Sequence, residues 1–370
     1  MTEKHCQIGV FIPIGNNGFL ISSNTPQYKP TFELNRDIVL LAEKYGFEFA
    51  LSMVKLRGFG GETEYWDYNL ESFTLMAGIA AVTSKINLIA STPILVLPPA
   101  IVARMATTID SIAPGRFGIN IVTGWQAAEY EQMGLWPGDK YFGYRYEYAT
   151  EYVQVLRDLM DTGVSNFKGK HFTMNDCKML PKPSARVEIV AAGQSPPGVK
   201  FATEHADYNF IMARGQNNPT GIRAINDGLV EAAKKADRDV GALVLYTIIA
   251  EETDEAALAK WKFYNDGADD EAIAWATGQA SRNVNLDQNS SAKRELLGEN
   301  RINNDMNTMI GSYERVAGLL DELANEPIKG IMLIFDDFMK GIEVFGTKVQ
   351  PLMKTRVKTV AALASQSSTS

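Results

Sequence analysis

What this chain lacks narrows it first. Its 370 residues hold two cysteines, Cys6 and Cys177, so no disulfide framework is expected. The histidines are His5, His171 and His205, and none stands at ligand spacing from another His, Cys or carboxylate. Metal catalysis is therefore not expected, and His171 and His205 read as structural. No GxSxG elbow occurs, and neither cysteine has a histidine close by in sequence, which argues against serine and thiol nucleophiles. No GxGxxG follows the first apolar run, so a Rossmann dinucleotide site is not supported. No run approaches the roughly 18 apolar residues of a membrane span. The opening MTEKHCQIGVF leads almost directly into a strand, so no signal peptide is expected and a cytoplasmic location is the default. Positive charge is also scarce. A net charge of -8 argues against nucleic acid or an anionic membrane as the main partner.

What is present is an alternation. Short apolar runs fall at 7–14, 47–54, 86–91, 117–123, 187–192, 208–212, 243–250 and 330–336. They are continuous rather than alternating, as expected for strands covered on both faces. Helical spacing separates them, at 32–45, 69–82, 98–112, 145–162, from 198, 220–236, 256–264, 312–324 and 341–352. Strands alternating with helices make a parallel sheet, and eight such units favour closure into a (β/α)8 TIM barrel. The expected domain is one barrel over 1–363, with insertions near 124–142, 163–185 and 266–307. Within the second insertion, NFKGKHFTM reads as a hairpin. Residues 364–370 read as a frayed polar tail. A homo-oligomer is compatible with this pattern.

In such a barrel the site lies at the C-terminal ends of the strands. The fourth run, FGINIVTGW at 117–125, puts Asn120 inside a strand that should be apolar on both faces. Polar or unusual groups at the other strand ends are Met53, Val54, Lys55 and Arg57, then Ser91 and Thr92. Thr123, Trp125 and Glu129 follow the fourth strand, Gly193, Gln194 and Ser195 the fifth, and Asp336 and Asp337 the last. The run GQSPPG at 193–198 opens a helix, where backbone N–H groups and a serine hydroxyl form an anion site. A plain helix cap is the alternative. Arg145 and Tyr146 begin another helix and carry good phosphate ligands. A phosphate-type end in a barrel without a catalytic metal or nucleophile points to chemistry carried by a cofactor.

At these residues the chain resembles the bacterial luciferase-like flavin monooxygenases, nearest to those that degrade uracil. The segments that carry the likeness are VFIPIGNNGFLIS (10–22), FALSMVKLRGFGG (49–61), LPPAIVARMATTIDSIAPGRFGINIVTGW (97–125), EYEQMGLWPGD (129–139), AAGQS (191–195) and FDDF (335–338). The resemblance implies FMN in the barrel mouth. Val54 and Lys55 would line its ring, Asn120 would hydrogen-bond the ring or substrate, and Glu129 would sit on a covering loop. Arg145, Tyr146 and Ser195 would hold its phosphate. It further implies a two-component oxidoreductase. A separate NADH-dependent flavin reductase supplies reduced FMN, O2 is the co-substrate, and uracil or thymine is opened between N3 and C4 to a ureidoacrylate peracid. Asn120, with Ser91 or Thr92, is the expected donor to the oxyanion at C4, and Trp125 the expected shield against water. The alternatives are a relative acting on another heterocycle or amide, a flavin-binding protein without turnover, and a deazaflavin-dependent hydride-transfer enzyme.

Overall fold

The computed structural model describes residues 6–212, 215–282, 301–303 and 306–367. Eight parallel strands close a barrel: β1 (Gln7–Ile12), β2 (Phe49–Ser52), β3 (Asn87–Pro93), β4 (Phe117–Val122), β7 (Glu188–Ala192), β8 (Tyr208–Ile211), β9 (Gly241–Glu251) and β11 (Gly330–Phe335). They pair in the order β9, β11, β1, β2, β3, β4, β7, β8, and β8 returns to β9. Between β4 and β7, the two short strands β5 (Val164–Ser165) and β6 (Cys177–Lys178) pair antiparallel. With a bridge between Lys168 and Thr173 they form the expected hairpin.

β9 is longer than its neighbours. Its first half pairs with β8 through Gly241–Val244, and its second half outruns that strand. A ninth strand, β10 (Thr308–Ser312), covers the bare upper edge, pairing parallel with Thr247 through Glu251. The eightfold repeat does not call for this strand, and unpaired edges are what a sheet must cover.

The helices follow from local chemistry. In α1 (Phe32–Lys44) the Thr31 hydroxyl accepts from the Leu34 N–H at 3.1 Å, and Gly46 stops the helix at a φ of +73°. α2 (Ser72–Ala80) is capped by Glu71, and α3 (Pro99–Ile112) opens on two prolines. The insertion expected as loop at 124–142 contains a short helix, α4 (Ala127–Glu131), and α5 (Tyr141–Arg157) begins before Arg145. α6 (Pro196–His205), α7 (Arg223–Lys235) and α8 (Asp254–Asp266) follow. The polar insertion at 266–307 carries α9 (Asp270–Ser281), capped by the Asp269 carboxylate, while 283–300 lie outside the described residues. α10 (Tyr313–Ala324) and α11 (Phe338–Val344) complete the outer ring. α12 (Val357–Ser367) runs through 364–367, where a frayed tail was expected, and 368–370 lie outside the described residues. One main apolar cluster joins strands to helices, and a smaller one under β9 and β10 includes Leu20, Ile249, Trp261 and Ile310. No helix among the described residues is long and apolar enough to cross a membrane.

Candidate active site

A cleft opens at the C-terminal ends of the strands. Phe11, Phe19, Phe210, Leu245 and Met306 give it apolar walls, and Met53 and Val54 line it beside Lys55. Most of the expected site residues meet there: Val54, Lys55, Ser91, Asn120, Trp125, Arg145, Tyr146 and Ser195 all line it.

Asn120 is 3% exposed. Its Nδ2 donates to Ser91 Oγ at 2.8 Å, and Ser91 Oγ donates to the Ser52 carbonyl at 2.6 Å. A serine hydroxyl has one proton and a carbonyl can only accept, so Ser91 must accept from Asn120. The amide is thereby oriented, and its Oδ1 is buried with no partner among the described residues. The Ser91 N–H donates to Ser72 Oγ at 2.8 Å, and the Ser52 and Ser72 hydroxyls bond each other. Asn120 therefore offers the cleft an acceptor. The single Ser91 hydroxyl proton is committed to the Ser52 carbonyl, whereas the Asn120 amide nitrogen keeps a second hydrogen beside the one given to Ser91. Thr92 does not join them. Successive strand residues face opposite sides, and its Oγ1 lies 3.5 Å from the Tyr152 hydroxyl on α5.

Lys55 follows β2, and its side chain is almost wholly buried. Its Nζ lies 2.7 Å from Gln126 Oε1 and 3.1 Å from Glu129 Oε1. The rings of Phe59, Trp66 and Trp125 stand 5.1, 5.3 and 5.3 Å from it. Glu129, on α4, does not line the cleft; it sits behind Lys55 and accepts from the Leu56 N–H at 2.9 Å. Nearby, burial pushes the hydroxyl pKa values of Tyr130 and Tyr141 well above the ordinary tyrosine range, and Tyr141 donates to the Thr123 carbonyl at 2.9 Å.

The far end of the cleft gathers hydrogen-bond donors. Arg145 Nη1 donates to the Gly124 carbonyl at 3.2 Å, and its Nε is buried without a partner among the described residues. The Tyr146 hydroxyl nests against Gly193 and Gly198. A Cβ on either glycine would stand 2.4 or 2.7 Å from that oxygen, so neither position accepts a side chain. Ser195 is the N-cap of α6, yet its hydroxyl makes no capping bond. Pro196 and Pro197 have no N–H to give, so this helix start has fewer backbone donors than its position suggests. Arg145, Tyr146 and Ser195 bring the donors.

Other strand-end candidates lie elsewhere. Asp336 pairs with Lys260 at 2.5 Å and accepts from the Tyr264 hydroxyl at 2.7 Å; Asp337 caps α11. Sequence reasoning missed Gln126, which orients Lys55, and the Ser52–Ser72 pair under Ser91. Their only signal was polarity inside or beside apolar runs. No group of three or more His, Cys, Asp or Glu that could hold a metal occurs among the described residues.

Known proteins show the same arrangement of chain. A pyrimidine monooxygenase RutA of Bradyrhizobium sp. strain BTAi1 is 64% identical over 350 residues, covering 94% of this chain and 97% of its own. The protein of that name from Caulobacter vibrioides is 57% identical over 351 residues, covering 95% and 99%. Among solved structures, a riboflavin lyase with modified FMN and riboflavin superposes at a TM-score of 0.81 with 17% identity, covering 95% of this chain and 92% of its own. A long-chain alkane monooxygenase superposes at 0.76 with 18% identity, covering 99% and 92%. At such identities these two speak for the barrel alone. The family described as luciferase-like monooxygenase matches residues 6–328. With its closed parallel barrel and its cleft at the strand ends, the chain belongs to the luciferase-like monooxygenase family of oxidoreductases.

Proposed function

We propose that this chain is an FMN-dependent monooxygenase of pyrimidines that opens uracil or thymine between N3 and C4, with O2 as co-substrate and reduced FMN delivered by a separate NADH-dependent reductase. The pyrimidine comes from relatives of that printed name at 64% and 57% identity over nearly the whole chain. FMN fits the residues present: the buried, partnerless Arg145 Nε beside Tyr146 and Ser195 suits a phosphate, and the flat apolar walls suit a ring. When bound, FMN supplies the electrons and the oxygen-activating ring.

The chain's own residues do the rest. Arg145, Tyr146 and Ser195 hold the phosphate. Val54 and Lys55 border the ring, and Trp125 with the apolar walls excludes water. The observation that carries the reading is the orphaned acceptor at Asn120. A buried carbonyl oxygen without a partner is costly until a ligand N–H reaches it, and a pyrimidine-dione has imide N–H groups to give. Ser91 keeps that acceptor aimed.

The test supplies chemically reduced FMN, oxygen and uracil, and follows loss of uracil absorbance. Loss of absorbance with formation of an open-chain product supports the reading. Oxidation of other heterocycles or amides with uracil untouched would replace the substrate, flavin binding without any substrate oxidation would replace the activity, and activity only with a deazaflavin would replace the cofactor.

A further inference from the structure

A serine at a helix start ordinarily spends its side-chain oxygen capping that helix. Ser72, the first residue of α2, does not. Glu71 caps α2 in its place, accepting from the Phe73 and Thr74 N–H groups at 2.9 and 2.6 Å. The Ser72 oxygen is left to reach the sheet, where it accepts from the Ser91 N–H at 2.8 Å. It does so where main-chain pairing between β2 and β3 stops. Their register ends at Leu51 opposite Ile89, whereas β3 stays paired with β4 as far as Pro93 and Val122. Above Leu51, serines bridge the gap. Ser91 Oγ donates to the Ser52 carbonyl at 2.6 Å, and the Ser52 and Ser72 hydroxyls bond each other. All three serines are buried.

We propose that Ser72 is a positioning residue for the pyrimidine: by filling the gap between β2 and β3 it fixes which end of the Asn120 amide is left for the ligand. The proposal rests on the pyrimidine reading above. With Ser72 in place the Ser91 N–H is satisfied, the Ser91 hydroxyl proton goes to the Ser52 carbonyl, and Asn120 must give Nδ2 to Ser91. Without the Ser72 oxygen the buried Ser91 N–H loses its acceptor, a costly state. The Ser52 carbonyl, already within reach of the Ser91 side chain, is the acceptor that relieves it. The Ser91 hydroxyl proton is then released and free to turn to Asn120 Oδ1, so the oxygen that would take an imide N–H is used up. Ser72 itself does not line the cleft; it acts through Ser91.

The test compares wild type, Ser72→Ala, Asn120→Ala and the double variant. Equilibrium dialysis with oxidised FMN present gives uracil affinity, and chemically reduced FMN with oxygen gives uracil kcat/KM. Ser72→Ala should weaken both about tenfold, the scale of one buried hydrogen bond, while the FMN Kd stays within about twofold. In the Asn120→Ala background the same change should cost nothing further, because the amide it aims is gone. An equal loss in both backgrounds is general damage to the fold and overturns the proposal. Uracil affinity of Ser72→Ala within about twofold of wild type overturns it too. If Ser72→Ala fails to fold, Ser72→Cys, similar in shape with a weaker acceptor, goes through the same cycle and is judged by the same outcomes. Wild-type protein that binds FMN but neither binds nor consumes uracil sinks the pyrimidine reading itself, a result distinct from uracil binding that is indifferent to Ser72.

Discussion

Asn120 donates to Ser91, and the direction of that one hydrogen bond decides what the cleft can recognise. Because Ser91 spends its proton on the Ser52 carbonyl, Asn120 must turn its amide nitrogen to Ser91, which leaves its carbonyl oxygen without a partner among the described residues. Asn120→Ala should reduce uracil turnover at least about a hundredfold, the scale of losing a buried positioning contact, while FMN affinity falls far less. Ser91→Ala should fall between wild type and Asn120→Ala, because the amide is then free to turn its donor inward. Steady-state uracil consumption and flavin titration measure both effects. Turnover within tenfold of wild type in Asn120→Ala would remove it from the reaction.

Arg145 has the opposite profile. It stands at the anion end with a buried, partnerless Nε, so Arg145→Ala should weaken FMN affinity about ten- to a hundredfold. Turnover at saturating FMN should change little. An unchanged flavin titration would take it out of the phosphate site.

Gly193 and Tyr146 form a lock that can be tested by stability. Gly193→Ala puts a methyl 2.4 Å from the Tyr146 hydroxyl oxygen, and the overpacking should cost about 1–3 kcal/mol. Combining it with Tyr146→Phe removes the clashing oxygen and should recover most of the loss. Denaturant midpoints of the two single variants and the double variant give the coupling.

The outer strap on the 124–142 segment predicts a pH effect. Arg282 pairs with Glu131 at 2.8 Å and with Asp139 at 3.0 Å, and the hydrogen bond from Arg282 lowers the Glu131 pKa from 4.5. A carboxylate with a depressed folded pKa stabilises the fold above its ordinary value and loses that contribution as pH falls through the folded one. The pair is exposed, so Arg282→Ala should cost less than about 1 kcal/mol at neutral pH. The difference from wild type should shrink below about pH 4 and shrink likewise in high salt. Thermal unfolding across pH and ionic strength reads this; a gap that persists in acid would mean the strap works by packing.

Much of the fold was written in residue pattern. Strands buried on both faces must be continuously apolar, which is why all eight barrel strands could be found by eye. β10 escaped because TMIGS is short and follows a polar stretch; it exists only because β9 is long enough to need a partner. Asn120 stood out as a polar residue in an apolar run, but the direction of its hydrogen bond depends on Ser52 and Ser91, which come from two other strands. Thr92 was adjacent to Ser91 in sequence and on the wrong face in space. Glu129 was expected on a loop over the cleft; that it backs Lys55 without lining the cleft needed the distance between two side chains 74 positions apart.

Covering β9 with β10 also sets a schedule. Met306 completes the wall of the cleft, and Thr308–Ser312 seal the sheet above it. Ile302 packs with Leu20 in the satellite cluster beneath. A growing chain that has passed β9 has a bare edge until β10 is made and an open barrel until β11 takes its place between β9 and β1. A chain cut short before residue 308 lacks β10 and β11 together, so neither the seam beside β9 nor the barrel between β9 and β1 can close.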